Sequence, residues 1–225
     1  LAAQAEPPTR RAEAPSLQAM LRGEQDLLPG PSRSPREGLL PIATPVSFGG
    51  FTERTLEVFG DRLRALGLRP TQGVGGQARD AGAAGPIEAG SMISVGLIEG
   101  DLSLSAAGTV TLVEGDTVHA FGHPFVSSGP ARMPMARASV LTLVPNLSNS
   151  FKLSATGPQI GAITLDRAAG VMGRIGGRPD MVPASFRVNS RAYDMTLVRD
   201  PFLTPFLLQM ASFAVVDATE RQLGP

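Results

Sequence analysis

The feature that most constrains the fold is a series of short apolar stretches separated by turn residues, between residues 91 and 200. Strands are predicted at Met92–Ile98, Asp101–Ser105, Thr109–Val113, Thr117–Phe121, Ala138–Val144, Ser150–Ser154, Gln159–Leu165, Val171–Ile175, Val182–Asn189 and Ala192–Val198. Gly, Asp, Asn and Pro fill the gaps, and no helical pattern interrupts the series. Many short strands at close spacing are typical of a barrel or a sandwich. We therefore expect a mainly β, antiparallel domain over residues 91–200.

Helices are predicted on both sides of this domain. Thr52 can cap a helix over Thr52–Leu66, and Gly67 can end it, so residues 41–90 are interpreted as a helix and a Gly-rich connector. Apolar residues at helical spacing, such as Phe206 and Met210, predict a C-terminal helix within residues 201–225. Residues 1–40 contain six prolines and little apolar surface, so we expect a disordered N-terminal arm there.

Composition excludes several classes of function. The net charge is zero and the basic residues are dispersed, which argues against a nucleic-acid partner. No Cys is present, so thiolate zinc sites and disulfides are excluded. No apolar run reaches the roughly 18–20 residues that span a bilayer, so membrane contact is not indicated. The chain begins at Leu1 with no visible signal peptide, and we expect a truncated or processed start.

The two histidines, His119 and His123, lie in one segment. Their spacing would suit a metal on a helix, but Gly122 and Pro124 flank His123 and no Glu stands between the histidines, so neither a metal nor a cofactor is expected. His119 is interpreted as a strand residue that faces solvent or a neighbouring strand. His123 follows a strand end in a rigid turn, and that placement suits a general base.

Several ordered motifs resemble the stage IV sporulation protein B (SpoIVB) peptidase family of bacterial serine peptidases. They are Gly100-Asp-Leu, Ala107-Gly-Thr-Val-Thr111, Ala120-Phe-Gly-His-Pro-Phe125, Gly161-Ala-Ile-Thr-Leu-Asp-Arg167 and Gly170-Val-Met-Gly173. The resemblance covers roughly residues 85–190. It implies a chymotrypsin-like barrel, a protein or peptide substrate, and His123 as general base. It is compatible with a location in the bacterial cell envelope, periplasmic or secreted.

The chain departs from the family at the nucleophile, because the family's Gly-x-Ser-Gly-Ser type of turn is absent. The serine motif precedes the histidine motif in some relatives of the family, so the chain is either a fragment cut after that serine or an inactive relative. Ser127 and Ser128 lie too close to His123 in sequence to reach its imidazole unless the loop folds back. Ser139, Ser150 and Ser154 fall in predicted strands and are interpreted as structural.

A catalytic triad also needs an acid that orients the imidazole. Asp101, Asp116 and Asp166 are the candidates, and Asp166 is preferred because it ends a strand within a matched motif. Two functions follow from these observations. The first is part of a serine endopeptidase domain with its serine outside this chain. The second is a non-catalytic envelope scaffold or peptide-binding β domain derived from the same fold.

Overall fold

The computed structural model describes residues 43–73, 85–145 and 150–223, and the predicted arm over residues 1–40 lies outside these ranges. The fold is mainly β, as expected. The strands are β1 (Thr44–Gly49), β2 (Leu68–Gln72), β3 (Met92–Gly100), β4 (Ser103–Glu114), β5 (Thr117–Ala120), β6 (Gly129–Val144), β7 (Phe151–Arg167), β8 (Gly170–Ile175), β9 (Met181–Val188) and β10 (Arg191–Val198). The helices are α1 (Glu53–Ala65) and α2 (Leu203–Leu223).

Six of the strands pair in a closed ring. The hydrogen-bonded order is β3-β4-β5-β8-β7-β6, and β6 pairs in turn with β3. Every pair in this ring is antiparallel. The spatial order β6-β3-β4-β5 places the fourth strand beside the first, which defines a Greek key. Closure leaves no unpaired edge among these six strands, so the expected barrel-like arrangement is present.

The four other strands extend the ring on two sides. β1 pairs antiparallel with β4 and carries β2 as a parallel neighbour. Parallel neighbours need a crossover connection, and α1 supplies it between β1 and β2. β10 pairs with β3 and carries β9 on its outer side. All ten strands therefore belong to one sheet.

The two helices form where their sequence patterns predict them. The Thr52 hydroxyl accepts a hydrogen bond from the Thr55 N–H at 3.3 Å, and Leu66 is the C-cap, so the predicted cap and end of α1 are confirmed. Phe59 of α1 packs edge-to-face on two rings of α2, with centroid distances of 6.0 Å to Phe206 and 5.7 Å to Phe213. Such aromatic pairs stabilise the packing of the two helices beyond the effect of the apolar area that they bury.

Four details of the strand prediction differ from the structure. β6 begins at Gly129, nine residues before the predicted start at Ala138. The gap predicted between Ser105 and Thr109 lies inside β4, because Gly108 provides space for a neighbouring ring without breaking the strand. The gap predicted between Ser154 and Gln159 lies inside β7, which continues through Gly157 and Pro158. Strands β1 and β2 were not predicted. Each is short and contains a proline, and tertiary pairing with β4 supports β1.

The antiparallel order assigns each connection of the ring to one end of the barrel. The β3–β4, β5–β6 and β7–β8 connections lie at one end, and the β4–β5 and β6–β7 connections lie at the other. The first end contains His123, which follows β5, and Asp166, which lies near the end of β7. We call it the histidine end.

The core runs through the barrel and under α2. Fully buried side chains come from each of the strands β3 to β7 and from the helix, and include Ile93, Leu104, Val118, Met135, Ile163 and Met210. Burial of each of these side chains stabilises the fold by roughly 1.5–3 kcal/mol. The candidate residues of the histidine end are therefore attached to a well-packed framework.

Candidate active site

His123 lies in the connection between β5 and β6, at residues 121–128. Phe121 and Ser127 both adopt left-handed backbone conformations, with φ of 76° and 59°. Non-glycine residues rarely occupy this region, and the cost of about 1–3 kcal/mol persists only where the surroundings impose it. The Phe121 N–H donates to the Thr109 carbonyl at 3.0 Å and holds the start of the loop on β4.

The His123 imidazole is half-buried and its Nδ1 atom lies 2.9 Å from the carbonyl oxygen of Pro124. A carbonyl can only accept, so Nδ1 carries the proton in the neutral ring and Nε2 keeps its lone pair. No hydrogen bond to Nε2 is found within the described ranges. The geometry thus selects the tautomer in which Nε2 can accept a proton.

Thr44 contributes a second contact to this imidazole. Its hydroxyl oxygen lies 3.4 Å from Nδ1 and donates over 3.4 Å to the Pro124 carbonyl. The side chain is 2% exposed and stands at the start of β1. Sequence reasoning missed Thr44, because it precedes His123 by 79 residues and lies in a segment interpreted as part of a helix and connector.

The Phe121 ring limits the space around His123. Its centroid lies 5.6 Å from the imidazole and 6.1 Å from the Phe125 ring. On its other side it approaches Gly108 of β4 so closely that a Cβ there would lie 2.2 Å from the ring. Gly108 is therefore required by the position of the Phe121 ring, which lies beside the His123 imidazole.

Asp166 fastens the rest of the loop from β7. Its carboxylate accepts the N–H of Phe125 at 2.8 Å, that of Val126 at 2.7 Å and that of Ser128 at 3.3 Å. The residue is 1% exposed, and a buried carboxylate needs donors of this kind. Both oxygens thus bind the main chain that follows His123. The predicted role of Asp166 as the triad acid stays a prediction.

The other two candidate acids lie in different places. Asp101 is in the β3–β4 connection, at the histidine end, and its carboxylate accepts the N–H of Asp194 at 2.8 Å. Asp116 is in the β4–β5 turn, at the opposite end of the barrel from His123. The fold therefore separates Asp116 from the imidazole.

His119 is a residue of β5, and its side chain is 38% exposed. Its Nε2 atom lies 3.6 Å from a carboxylate oxygen of Glu114, across the β4–β5 hairpin. It is thus a strand residue that faces solvent and a neighbouring strand, as expected. In the described ranges, no group of three or more His, Asp or Glu side chains is arranged to hold a metal ion.

Two serines follow His123 in the same loop. Ser127 is exposed, whereas the Ser128 hydroxyl oxygen is buried and has no hydrogen-bond partner among the described residues. A buried hydroxyl of this kind is costly to the fold and is not presented to a substrate. Ser139 of β6 lies opposite Ala155, and Ser154 of β7 lies opposite Val140, so both serines are strand residues.

Searches of protein-family models, curated proteins and solved structures found no match to this chain. Neither helix described is both long and apolar enough to cross a bilayer. The histidine end itself combines three features that bear on function: an oriented imidazole, a strained loop and a buried carboxylate that holds the loop.

Proposed function

We propose that this chain is the histidine-bearing part of a serine endopeptidase domain of the SpoIVB type, with His123 as its general base. The observation that carries the proposal is the contact of Nδ1 with the Pro124 carbonyl, which leaves Nε2 as the proton acceptor. Geometry is the first requirement for a general base, and here a rigid loop supplies it. The substrate is a protein or peptide, and no metal or cofactor takes part.

In the proposed reaction, Nε2 takes the hydroxyl proton of a serine as its oxygen attacks the scissile carbonyl carbon. The resulting imidazolium then gives that proton to the leaving amine, and water releases the acyl group in a second round. The Pro124 carbonyl accepts from Nδ1–H throughout and holds the ring in place. A carbonyl dipole stabilises the imidazolium less than a carboxylate would, since it carries no net charge.

The strand order of the ring supports a chymotrypsin-like barrel. Peptidases of the chymotrypsin type are built on β-barrels, and the six antiparallel strands here close in Greek-key order. His123 and Asp166 both lie at one end of that barrel, His123 in the connection that follows β5 and Asp166 near the end of β7. Asp166 is proposed as a residue that positions the loop, in addition to its predicted role as acid.

The nucleophile is proposed to lie outside this chain. The sequence contains no Gly-x-Ser-Gly-Ser turn, and the glycines of residues 170–177 belong to β8 and the turn that follows it. The family to which the motifs are similar supplies such a serine from a separate segment. We place the complete protein in the bacterial cell envelope, periplasmic or secreted, on the same resemblance.

The proposal is tested with protein produced from the complete gene. His123→Ala is expected to lower the rate of peptide hydrolysis by about 10²–10⁴-fold, because the general base is lost. His119→Ala is the matched control, since it removes the same side chain from an exposed strand position and should leave the rate unchanged. Labelling with a fluorophosphonate probe should fall in parallel. Wild-type hydrolysis by the His123→Ala protein would contradict the proposal.

A second candidate function is a non-catalytic envelope scaffold or peptide-binding domain. It is favoured by Asp166, whose carboxylate binds three main-chain N–H groups of the loop and thereby serves the fold. The complete coding sequence distinguishes the two functions. A Gly-x-Ser-Gly-Ser segment upstream favours the peptidase, and its absence throughout the gene favours the scaffold.

A further inference from the structure

A cavity of about 450 Å³ opens on the surface beside the first residues of β6. Its walls come from β6, β7, β8 and the connection between β8 and β9. Three arginines line it, Arg132, Arg174 and Arg178, together with apolar side chains that include Ile175 and Pro179. We call it the arginine cavity.

Irregular strand pairing shapes this cavity. Pro130 pairs with Leu165 and Met133 with Ile163, so Ala131 and Arg132 together face the single residue Thr164. An extra residue of this kind is a β-bulge, which bends the strand and changes the direction of a side chain. The same stretch of β7 is also irregular in its pairing with β8, between Ile163 and Leu165. The two irregularities lie where the walls of the cavity meet.

The charges of the arginine cavity are unbalanced. Neither an ion pair nor a side-chain hydrogen bond is found for Arg132, Arg174 or Arg178 within the described ranges. The cavity is also lined by the carboxylate of Asp180, but that group is paired with Arg199 at 2.8 Å. Several guanidinium groups around one concave surface raise the local potential and attract anions. Each guanidinium can bind a carboxylate through two parallel N–H donors.

The volume of the arginine cavity is larger than a single ion requires. A second cavity of about 190 Å³ shares Ala131 and Arg132 with it and is also lined by Asp200 and Pro201. Pro130, which lines this second cavity, follows the His123 loop after only Gly129. Apolar walls next to guanidinium groups fit an extended peptide with acidic side chains better than they fit a small inorganic anion.

We propose that the arginine cavity binds an acidic peptide segment, whose carboxylates are held by Arg132, Arg174 and Arg178. This inference rests on the proposed function in one respect, since it names acidic peptides as the substrate class of the same domain. Binding itself does not depend on hydrolysis, so the two claims can fail separately.

The test measures peptide binding to the protein from the complete gene, with His123→Ala present to prevent turnover. Fluorescence anisotropy compares a labelled peptide rich in Glu with the same peptide in which every Glu is Gln. The acidic peptide should bind at least about tenfold more tightly, which is about the contribution of one charge-assisted hydrogen bond. Arg174→Ala and Arg132→Ala should each lower that preference severalfold, and Arg174→Glu should lower it further than Arg174→Ala does.

Arg187→Ala is the matched control, because it removes an exposed arginine of β9 that does not line the cavity and should leave the preference intact. Equal binding of the two peptides, or an unchanged preference in Arg174→Ala, would overturn the inference. Full competition by inorganic phosphate at concentrations far below the peptide's Kd would reassign the cavity to small anions. If the preference for the acidic peptide is absent while hydrolysis still depends on His123, this inference alone is overturned. If the preference for the acidic peptide is intact while His123→Ala leaves hydrolysis unchanged, the proposed function alone is overturned.

Discussion

At one end of the barrel, β4 and β5 are joined by the short turn Gly115-Asp116, whereas at the histidine end the connection from β5 to β6 runs through residues 121–128. The short turn combines a glycine with φ of 58°, the pairing of its two strands and a main-chain hydrogen bond from the Ile175 N–H of β8 to the Asp116 carbonyl. The histidine end depends on distant residues, because Asp166 and Thr44 bind it from β7 and β1. The first connection is thus held by main-chain hydrogen bonds, whereas the second is also held by side chains from distant strands.

The two ends are expected to differ most in the free energy of unfolding that is lost when an aspartate at each end is replaced. Asp166→Ala leaves three main-chain N–H groups without their carboxylate, so the free energy of unfolding should fall by about 3 kcal/mol or more. Asp116→Ala is the control, because the contact of Asp116 with Ile175 uses its main-chain oxygen, and it should cost about 0.5 kcal/mol at most. Urea denaturation measures both. Similar losses would mean that the two ends are held alike.

A smaller difference is expected for two glycines. Gly108→Ala places a methyl group 2.2 Å from the rigid Phe121 ring, so we expect a loss of about 2–3 kcal/mol and a displaced His123 loop. Gly115→Ala meets no neighbour within 4 Å and carries only the strain of its positive φ, about 1 kcal/mol. Denaturant unfolding of both variants gives the comparison. A smaller loss for Gly108→Ala than for Gly115→Ala would show that the Phe121 ring does not constrain the loop.

The Ser128 hydroxyl tests whether the histidine end contains its own nucleophile. Ser128→Ala removes a buried oxygen without a partner, so stability should rise by up to about 1 kcal/mol and hydrolysis by the complete protein should continue. Ser94→Ala is the contrasting variant, because the buried Ser94 hydroxyl bonds Thr156 at 2.9 Å and its loss should be destabilising. Abolished hydrolysis in Ser128→Ala would identify a nucleophile within this chain.

The smallest effect concerns Glu99, at the end of β3. Burial raises the pKa of this carboxyl above its ordinary value, because its charged form loses hydration. The unfolded chain therefore releases this proton first as pH rises from about 4, and stability falls until pH exceeds the raised pKa. Glu99→Gln should be more stable than wild type at neutral pH, by a margin that shrinks in acid. Denaturation midpoints from pH 4 to 7 measure this.

Glu57→Gln, at an exposed position of α1, is the matched control for Glu99. A margin for Glu99→Gln that stays constant with pH would show that the carboxyl is not desolvated in the native state.

Local sequence was sufficient for the parts of the fold whose hydrogen bonds are local. In the sequence, Thr52 predicts the start of α1 and Gly67 predicts its end. The helix begins and ends at these places in the structure. The alternation of apolar and turn residues also gave most strands of the ring. It failed for β1 and β2, whose pairing joins segments far apart in the chain, and at Gly108, where a glycine fills a packing role and does not make a turn.

The candidate site divides in the same way. The sequence by itself determined that His123 stands in a rigid turn after a strand, because Gly122 and Pro124 restrict the backbone on both sides. Only the tertiary structure decided which groups face the loop: Thr44 beside the imidazole, and Asp166 on the main-chain N–H groups. Backbone restriction acts between adjacent residues and can be read from them, whereas hydrogen bonds across 41 or 79 residues exist only once the barrel has closed.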